Sequence, residues 1–259
     1  MLARMTNHAR TSRALGIDVG GSGIKGAVVD LSTGEFVGGQ ITIETPQPAT
    51  PEAVADTIAE IARRAQWTGP VGVALPSVIK GQVALTAANV DPAWVGTNAH
   101  EVLARRLDTS EISVLNDADA AGLAEVAFGG AQIRDGAVIF LTFGTGIGSA
   151  FFIDGRLFPN TELGHMTVGC AEAEHQASSA VKDREQLSFE QWAGRVDTVV
   201  REFDRLFNPA LFVVGGGISE DADSWVPLLT VETPVVAAKL RNRAGIVGAA
   251  MAAAEHLNP

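Results

Sequence analysis

Two groups of side chains in this sequence have types and spacings that could do chemistry. Asn116 and Asp117 follow a short apolar run, residues 112–115, at the point where the chain enters a helix-forming stretch. Strand ends of this kind line ligand crevices in α/β sheets. A carboxylate there can accept the proton of a hydroxyl as its oxygen attacks phosphorus. The same Asp could simply cap the helix that it opens, and position alone leaves both roles open. Asp119, two residues on, is the second candidate and points away along the helical turn. Glu162 and His165 stand three apart around Gly164, close enough to reach one ligand together. The carboxylate can hold two neighbouring hydroxyls while the imidazole donates to another. A metal site competes with that reading. Zinc would need more ligands than Glu174, His175 and the single thiol Cys170 offer, so no zinc site is expected.

The elements that would position these groups begin with a Gly-rich hairpin. Residues 15–30 contain an apolar run ending in Asp18 and Val19, the turn Gly20, Gly21, Ser22, Gly23, and a second apolar run closing at Asp30. Glycines in such a turn permit positive φ and let backbone N–H groups approach a ligand. A concave row of N–H groups binds anions, and Asp18 beside it suits Mg²⁺ or an ordered water next to phosphate. On its own this is an ordinary hairpin. Residues 137–154 repeat the grammar about half a chain later, with Gly144, Thr145, Gly146 and Gly148 at the turn and Asp154 at the close. The pair resembles the duplicated ribonuclease-H-like halves of the actin, hexokinase and sugar-kinase superfamily, where a phosphate chain sits between two hairpins. No Walker pattern occurs. Lys25 serves equally as a donor-phosphate contact or a strand-surface residue.

Local signals fill in the rest. Residues 36–43 read as a third strand. Thr50 caps a helix with Pro51 at its first position, and Val54, Ile58, Ile61 and Ala65 recur at helical spacing. Residues 71–75 form a buried strand, and Asn98 with Glu101 reads as a capping box for a helix over residues 99–107. Residues 118–128 make a helix closed by Gly129 and Gly130, where a first lobe gives way to a second. Ser188 and Gln191 open a long helix whose apolar stripe is Trp192, Val196, Val199, Phe203 and Leu206. A strand over residues 211–214 runs into Gly215, Gly216 and Gly217, and an Ala-rich helix over residues 246–256 follows.

Composition limits the function classes. With 259 residues and 46% apolar content the chain can bury a core of one or two domains. A net charge of −11 speaks against a nucleic-acid surface. No apolar run is long enough to span a membrane, and residues 1–13 lack the apolar centre of a secretory signal. A lone cysteine excludes an internal disulfide and fits the reducing cytoplasm. Lysines are only Lys25, Lys80, Lys182 and Lys239, so arginine is expected to supply most of any anion-binding patch.

The first hairpin, Asn116-Asp117, Gly144-Thr145-Gly146-Ile147-Gly148 and Glu162-x-Gly-His165 occur in the order seen in the ROK family of sugar kinases and sugar-responsive repressors. The finer texture is similar to its polyphosphate-glucokinase branch, in Thr86-Ala-Ala-Asn-Val-Asp-Pro-Ala-Trp-Val-Gly96, Pro159-Asn-Thr-Glu-Leu-Gly-His165 and Arg241-Asn-Arg-Ala-Gly-Ile-Val-Gly-Ala249. The likeness spans about residues 14 to 254. It implies an α/β, two-lobed actin/hexokinase-like fold: a tail over residues 1–13, a small lobe over 14–116, a large lobe over 117–245, and a C-terminal helix over 246–259 returning to the small lobe. It implies phosphoryl transfer from polyphosphate or ATP to the 6-hydroxyl of glucose, with Mg²⁺, in a cytoplasmic homodimer that binds neither nucleic acid nor membrane. A strictly ATP-dependent ROK hexokinase acting on glucose, mannose or N-acetylmannosamine is the alternative. A repressor would need a DNA-binding domain, and only about fourteen residues precede the first strand.

By the same resemblance Asp117 matches the catalytic base, and Asn89, Asn116, Glu162, His165 and Glu174 match sugar contacts. Asp18, Gly20, Gly21, Ser22, Gly144, Thr145, Gly146 and Gly148 match the donor hairpins. Gly215, Gly216 and Gly217 match the turn that borders adenine in ATP-using relatives. The Cys-rich zinc motif of many ROK kinases is missing, and residues 169–184 are the least familiar part.

Overall fold

A computed structural model describes residues 12–130 and 135–257 of the chain; residues 1–11 of the expected tail lie outside that range. The first hairpin forms as β1 (Arg13–Val19) and β2 (Gly23–Asp30), antiparallel from Arg13↔Asp30 to Val19↔Ile24. The expected third strand is two short ones, β3 (Glu35–Phe36) and β4 (Ile41–Glu44), each paired to β2. Gly38, at φ 92°, and Gly39 break it between them. Helix α1 (Pro51–Arg64) starts where Thr50 Oγ1 accepts the Ala53 N–H. Strand β5 (Val71–Leu75) follows parallel to β1, then a small hairpin, β6 (Ile79–Lys80) with β7 (Val83–Ala84). Helix α2 (Ala99–Leu107) is capped by Asn98 Oδ1, but Glu101 turns to the Asn98 side-chain amide, so half of the capping box forms. Strand β8 (Ile112–Asn116), parallel to β5, completes the sheet in the order β3–β2–β1–β5–β8.

The second half repeats this plan. After α3 (Asp117–Phe128) come β9 (Ala137–Phe143), β10 (Ile147–Ile153) and β11 (Arg156–Phe158), all antiparallel neighbours. The chain then forms a two-stranded hairpin, β12 (Thr167–Val168) and β13 (Ala171–Glu172), and helices α4 (Ala173–Ala177), α5 (Ser179–Arg184) and α6 (Phe189–Phe207). Strand β14 (Leu211–Gly215), helix α7 (Ala222–Trp225) and strand β15 (Val235–Ala237) precede the last helix, α8 (Ala244–Glu255). The second sheet runs β11–β10–β9–β14–β15, with β14 parallel to β9 and β15 parallel to β14. Each sheet is therefore an antiparallel three-strand meander with two parallel strands added beside its first strand. That is a duplicated fold.

Each half has its own core. Leu15, Ile17, Ile58, Ile61 and Val73 pack under α1, while Phe143, Trp192 and Trp225 stack edge-on at 5.0–5.8 Å beneath α6. The α6 stripe leaves this core in its last turn, where Leu206 is 44% exposed. Between the sheets lie α3 and α8. Helix α8 is apolar on every side, as a helix buried all round must be. Its backbone touches its neighbours directly. A Cβ on Gly16 of β1 would overlap the Ile246 carbonyl, one on Gly72 of β5 the Ala249 carbonyl, and one on Gly248 the Ala120 carbonyl of α3. Glu125, buried near the end of α3, accepts the N–H groups of Lys239 (3.0 Å) and Leu240 (2.6 Å) and ties down the approach to α8.

Gly72→Ala is expected to cost about 2–3 kcal/mol, because the inserted methyl meets backbone that cannot step aside. Urea unfolding measures it, and an unchanged midpoint would mean that α8 is free to shift.

Candidate active site

A cleft of about 550 Å³ opens between the halves. The first half contributes Ser77 and residues 86–89, the second its Gly-rich turn and the loop carrying Glu162 and His165, and Asn116 and Asp117 lie at the junction. Asn116 ends β8 and caps α3: its Oδ1 accepts the N–H groups of Ala118 (2.8 Å) and Asp119 (3.2 Å), while its amide donates to the Ser77 carbonyl (3.2 Å). The side chain expected to hold sugar is thus already engaged in fixing the helix start. Asp117, the first residue of α3, takes its place from that cap. Burial, then the charge of Asp18, push its carboxyl up to about 7; Glu162 adds to the shift.

The loop with Glu162 is held from behind. Buried Ser149 of β10 donates to the Thr161 carbonyl (2.8 Å) and accepts the Leu163 N–H (2.9 Å). Gly164 lies so close to β10 that a Cβ would overlap the Ile147 carbonyl. Burial raises the Glu162 carboxyl, which His165 lowers in part. His165 Nδ1 is 2.9 Å from Glu172 and 3.6 Å from Glu174, and its Nε2 is 3.9 Å from Glu162. The hydrogen bond to Glu172 is the main cause of a raised imidazole pKa. Glu174 also accepts the Ile147 N–H at 3.3 Å, so it braces the second hairpin as well as bordering the cleft. His165, Glu172 and Glu174 offer atoms within 4.8 Å of one another, a spacing that one divalent ion could bridge.

The two Gly-rich turns are built alike. The carbonyl of Gly20 accepts the Thr45 hydroxyl, and that of Gly144 accepts the Ser179 hydroxyl at 3.0 Å. None of Gly20, Gly21, Gly23, Gly144 or Gly146 adopts a positive φ, and close approach accounts for only some of the turn glycines. A Cβ on Gly146 would run into the Glu174 carboxylate, one on Gly148 into the Thr142 hydroxyl, and one on Gly21 would press on Asn89. Gly144, Thr145, Gly146, Gly148 and Gly216 line the cleft with Asn89, Asn116, Asp117, Glu162, His165 and Glu174. Asp18, Gly20, Gly21, Ser22, Lys25, Gly215 and Gly217 stand outside its lining. Two of these still reach it: Gly21 lies against Asn89, and Asp18 acts electrostatically on Asp117. Lys25 sits opposite Asp18 across the hairpin, and its charge opposes the desolvation that raises the Asp18 pKa. Gly215 ends β14, and Gly217 opens the short turn after it. The expected arginine patch is not in the cleft, where no Lys or Arg appears among the described lining residues.

Several supporting residues had no local signal in the sequence. Asp119 is buried and turned from the cleft; its Oδ2 accepts the Asn160 N–H at 2.8 Å and its Oδ1 has no partner. Asn160 in turn pairs with Ile79 of the first half through both amide atoms, at 2.9 and 2.7 Å. Ser149, Ser179 and Glu172 likewise act on residues distant in sequence or outside any motif.

The ROK family's sequence model matches residues 14–180, nearly two thirds of the chain. The chain belongs to the ROK family. Among its ROK relatives, a protein of Mycobacterium tuberculosis (strain ATCC 25618 / H37Rv) named polyphosphate glucokinase is 53% identical over 248 residues, covering 95% of this chain and 94% of that one. The inorganic polyphosphate/ATP-glucomannokinase of Arthrobacter sp. strain KM superposes with a TM-score of 0.89 at 44% identity, covering 95% of this chain and 100% of that one. A ROK glucokinase from Streptomyces griseus, solved with glucose and AMPPNP, reaches a TM-score of 0.78 at 25% identity, covering 92% and 98%. The duplicated α/β architecture is thus that of the actin/hexokinase-like ROK sugar kinases.

Burial holds the Asp119 carboxyl at about 7 against an ordinary 3.8. Between those two pH values the folded protein keeps a proton that the unfolded chain has released, so this group makes stability fall as pH rises from about 4 to 7. Asp119→Asn is expected to shrink that fall without abolishing it, since Asp117 contributes in the same sense. Unfolding midpoints at pH 5 and pH 8 measure the difference, and an unaltered slope would count against a buried acid here.

Proposed function

We propose that this chain is a polyphosphate glucokinase, transferring the terminal phosphoryl group of inorganic polyphosphate, with ATP as a second donor, to the 6-hydroxyl of glucose. The observation that carries the proposal is one cleft holding Asp117 between a Gly-rich turn and the Glu162–His165 pair. The mycobacterial relatives, alike over nearly the whole chain, bear the name polyphosphate glucokinase, which supports the same donor.

In this reading Glu162, His165 and Glu174 hold the hexose hydroxyls, with Asn89 closing from the first half. Asp117 accepts the proton of the 6-hydroxyl as that oxygen forms its bond to phosphorus. The bridging P–O bond breaks, and the shortened polyphosphate leaves with the electron pair. Such transfer asks mainly for alignment and charge stabilisation. The Gly-rich turns supply backbone N–H groups for the donor, Gly215 to Gly217 border the nucleoside when ATP serves, and Lys25 adds a positive charge. Asp18 is a hard oxygen ligand whose carboxylate is destabilised by burial, a donor that fits Mg²⁺ beside phosphate. Mg²⁺ there would neutralise phosphate charge. The proposal includes the small lobe over residues 14–116 and the large lobe over 117–245, with the last helix returned to the first. It also includes a cytoplasmic homodimer; Ile153, Phe158 and Leu206 expose apolar surface for a second copy, and no described helix is long and apolar enough to cross a membrane.

Purified protein should produce glucose 6-phosphate from glucose with polyphosphate and more slowly with ATP, and mannose belongs in the same assay. Equal silence with both donors would refute the proposal. Asp117→Asn should keep glucose affinity by calorimetry and lose roughly 10²–10⁴ in kcat. In the wild type kcat/KM should fall about tenfold per pH unit below a value near 7, as Asp117 takes up its proton. A flat acid limb would remove Asp117 as the base.

A further inference from the structure

His165 has two ring nitrogens with different outlooks. Nε2 faces Glu162 and the cleft, whereas Nδ1 meets Glu172 Oε2 at 2.9 Å. Glu172 lies behind the ring, outside the described lining of the cleft, at the end of β13. Its hairpin is rigidly held, because the Gln176 amide donates to the carbonyls of Val168, Ala171 and Glu172 at 2.9, 2.8 and 3.3 Å. Those bonds hold the backbone of Glu172, and the hydrogen bond that its carboxylate accepts from Nδ1 sets where the imidazole points. It also sets which nitrogen carries the proton of the neutral ring, since only Nδ1–H can donate to that carboxylate.

We propose that Glu172 is a positioning residue for hexose recognition, accepting the Nδ1–H of His165 and thereby presenting Nε2 to a sugar hydroxyl. The inference rests on the proposed role of Glu162 and His165 as the hexose clasp. The ring is surrounded by acid: Glu162, Glu172 and Glu174 all face it, with His175 at 3.8 Å from Glu174. Each of the three carboxylates favours the imidazolium, and the hydrogen bond to Glu172 does so most. Below the raised pKa of the ring, Nε2–H donates to the sugar; above it, Nε2 accepts. Without Glu172 the ring can rotate or exchange tautomers, and the hydroxyl loses a partner of fixed polarity. The pair is mostly solvent-exposed, so its contribution to global stability is small.

The test is Glu172→Gln, with Glu172→Asp as the conservative variant, in the full chain. Two readouts are needed: the His165 titration followed by NMR without substrate, and KM against kcat for glucose with polyphosphate. In Glu172→Gln the His165 pKa should fall and KM for glucose should rise about tenfold, with kcat within about twofold and the melting temperature unchanged. Glu172→Asp, which keeps the charge, should stay nearer the wild type in both. An unmoved His165 titration, or an unmoved KM beside a moved titration, overturns the positioning role. So does a loss confined to melting temperature. A His165 signal that responds to stoichiometric Zn²⁺ only while Glu172 is present would also overturn it, in favour of a metal site. Wild-type silence toward glucose would instead strike the proposed function, and the NMR titration would still report on the contact.

Discussion

The contact of bare backbone where α8 crosses β1, β5 and α3 sets the dimensions of the cleft. Three glycines, one on each of β1, β5 and α8, let carbonyl oxygens sit where any side chain would intrude. With α8 that deep, Gly245 in its first turn lies against the Asp18 carboxylate. Helix α3, lodged against α8 through Gly248, begins at Asp117, and Asp117 is close enough to Asp18 for the Asp18 charge to disfavour its ionised form. Two helix N-termini therefore converge on the same carboxylates. Their partial positive charge favours anions within the first turn and partly offsets the crowding of negative groups. The packing of small residues at the centre and the electrostatics of the site are one design.

That design suits a molecule with net charge −11 that must handle a polyanion. Several arginines are paired on the surface, away from the cleft: Arg243 with Glu35, Arg195 and Arg184 with Glu185, Arg205 with Glu202, Arg63 and Arg64 with Glu60. Exposed pairs of this kind contribute little to stability. The cleft itself has backbone turns and the N-terminus of α3, while Lys25 stands outside its lining, across the hairpin from Asp18. In the proposed reaction, charge compensation at the phosphate would fall on fixed dipoles and a divalent cation rather than on a ring of flexible basic side chains. Fixed dipoles need no reorganisation as charge develops, which is the condition for strong transition-state stabilisation.

What was legible in the sequence was what short-range physics decides. Thr50, Asn98 and Ser188 cap helices within three residues of themselves, and both hairpins pair about turns of three or four residues, so pattern and composition expose them. The Glu162–His165 pair was legible because both residues sit on one short turn. The reason for the glycines was not. Gly146 is dictated by Glu174, Gly164 by Ile147 and Gly16 by Ile246, contacts that only the folded chain creates. Asn116 was read as a ligand group, yet the fold spends its carbonyl oxygen on two N–H groups of α3. The tie from Asp119 through Asn160 to Ile79 spans 41 and then 81 residues of sequence and crosses between the halves. Leu206 fits the helical stripe by spacing but is exposed in the last turn of α6.

These contacts also decide which parts of the site travel together. Asp117 stands where the halves meet, because it follows Asn116 of β8 directly, while α3 packs on α8 and also on β10, where Gly122 meets the Phe152 ring. Glu162 is anchored to the same strand through Ser149, and Glu174 to its first residue, Ile147. The proposed hexose clasp is thus fixed to one strand, and the proposed base meets it from the junction of the halves. Asp18 and the first Gly-rich turn belong to the other sheet and reach the cleft through Asn89. Any closing motion would therefore alter the distance from the first turn to the hexose clasp. The Asn160–Ile79 pair is a hydrogen-bonded tie across which such motion would have to work. A preassembled hexose clasp facing an adjustable donor turn is an economical arrangement for phosphoryl transfer, where in-line alignment supplies much of the rate and an open donor site would waste phosphate on water.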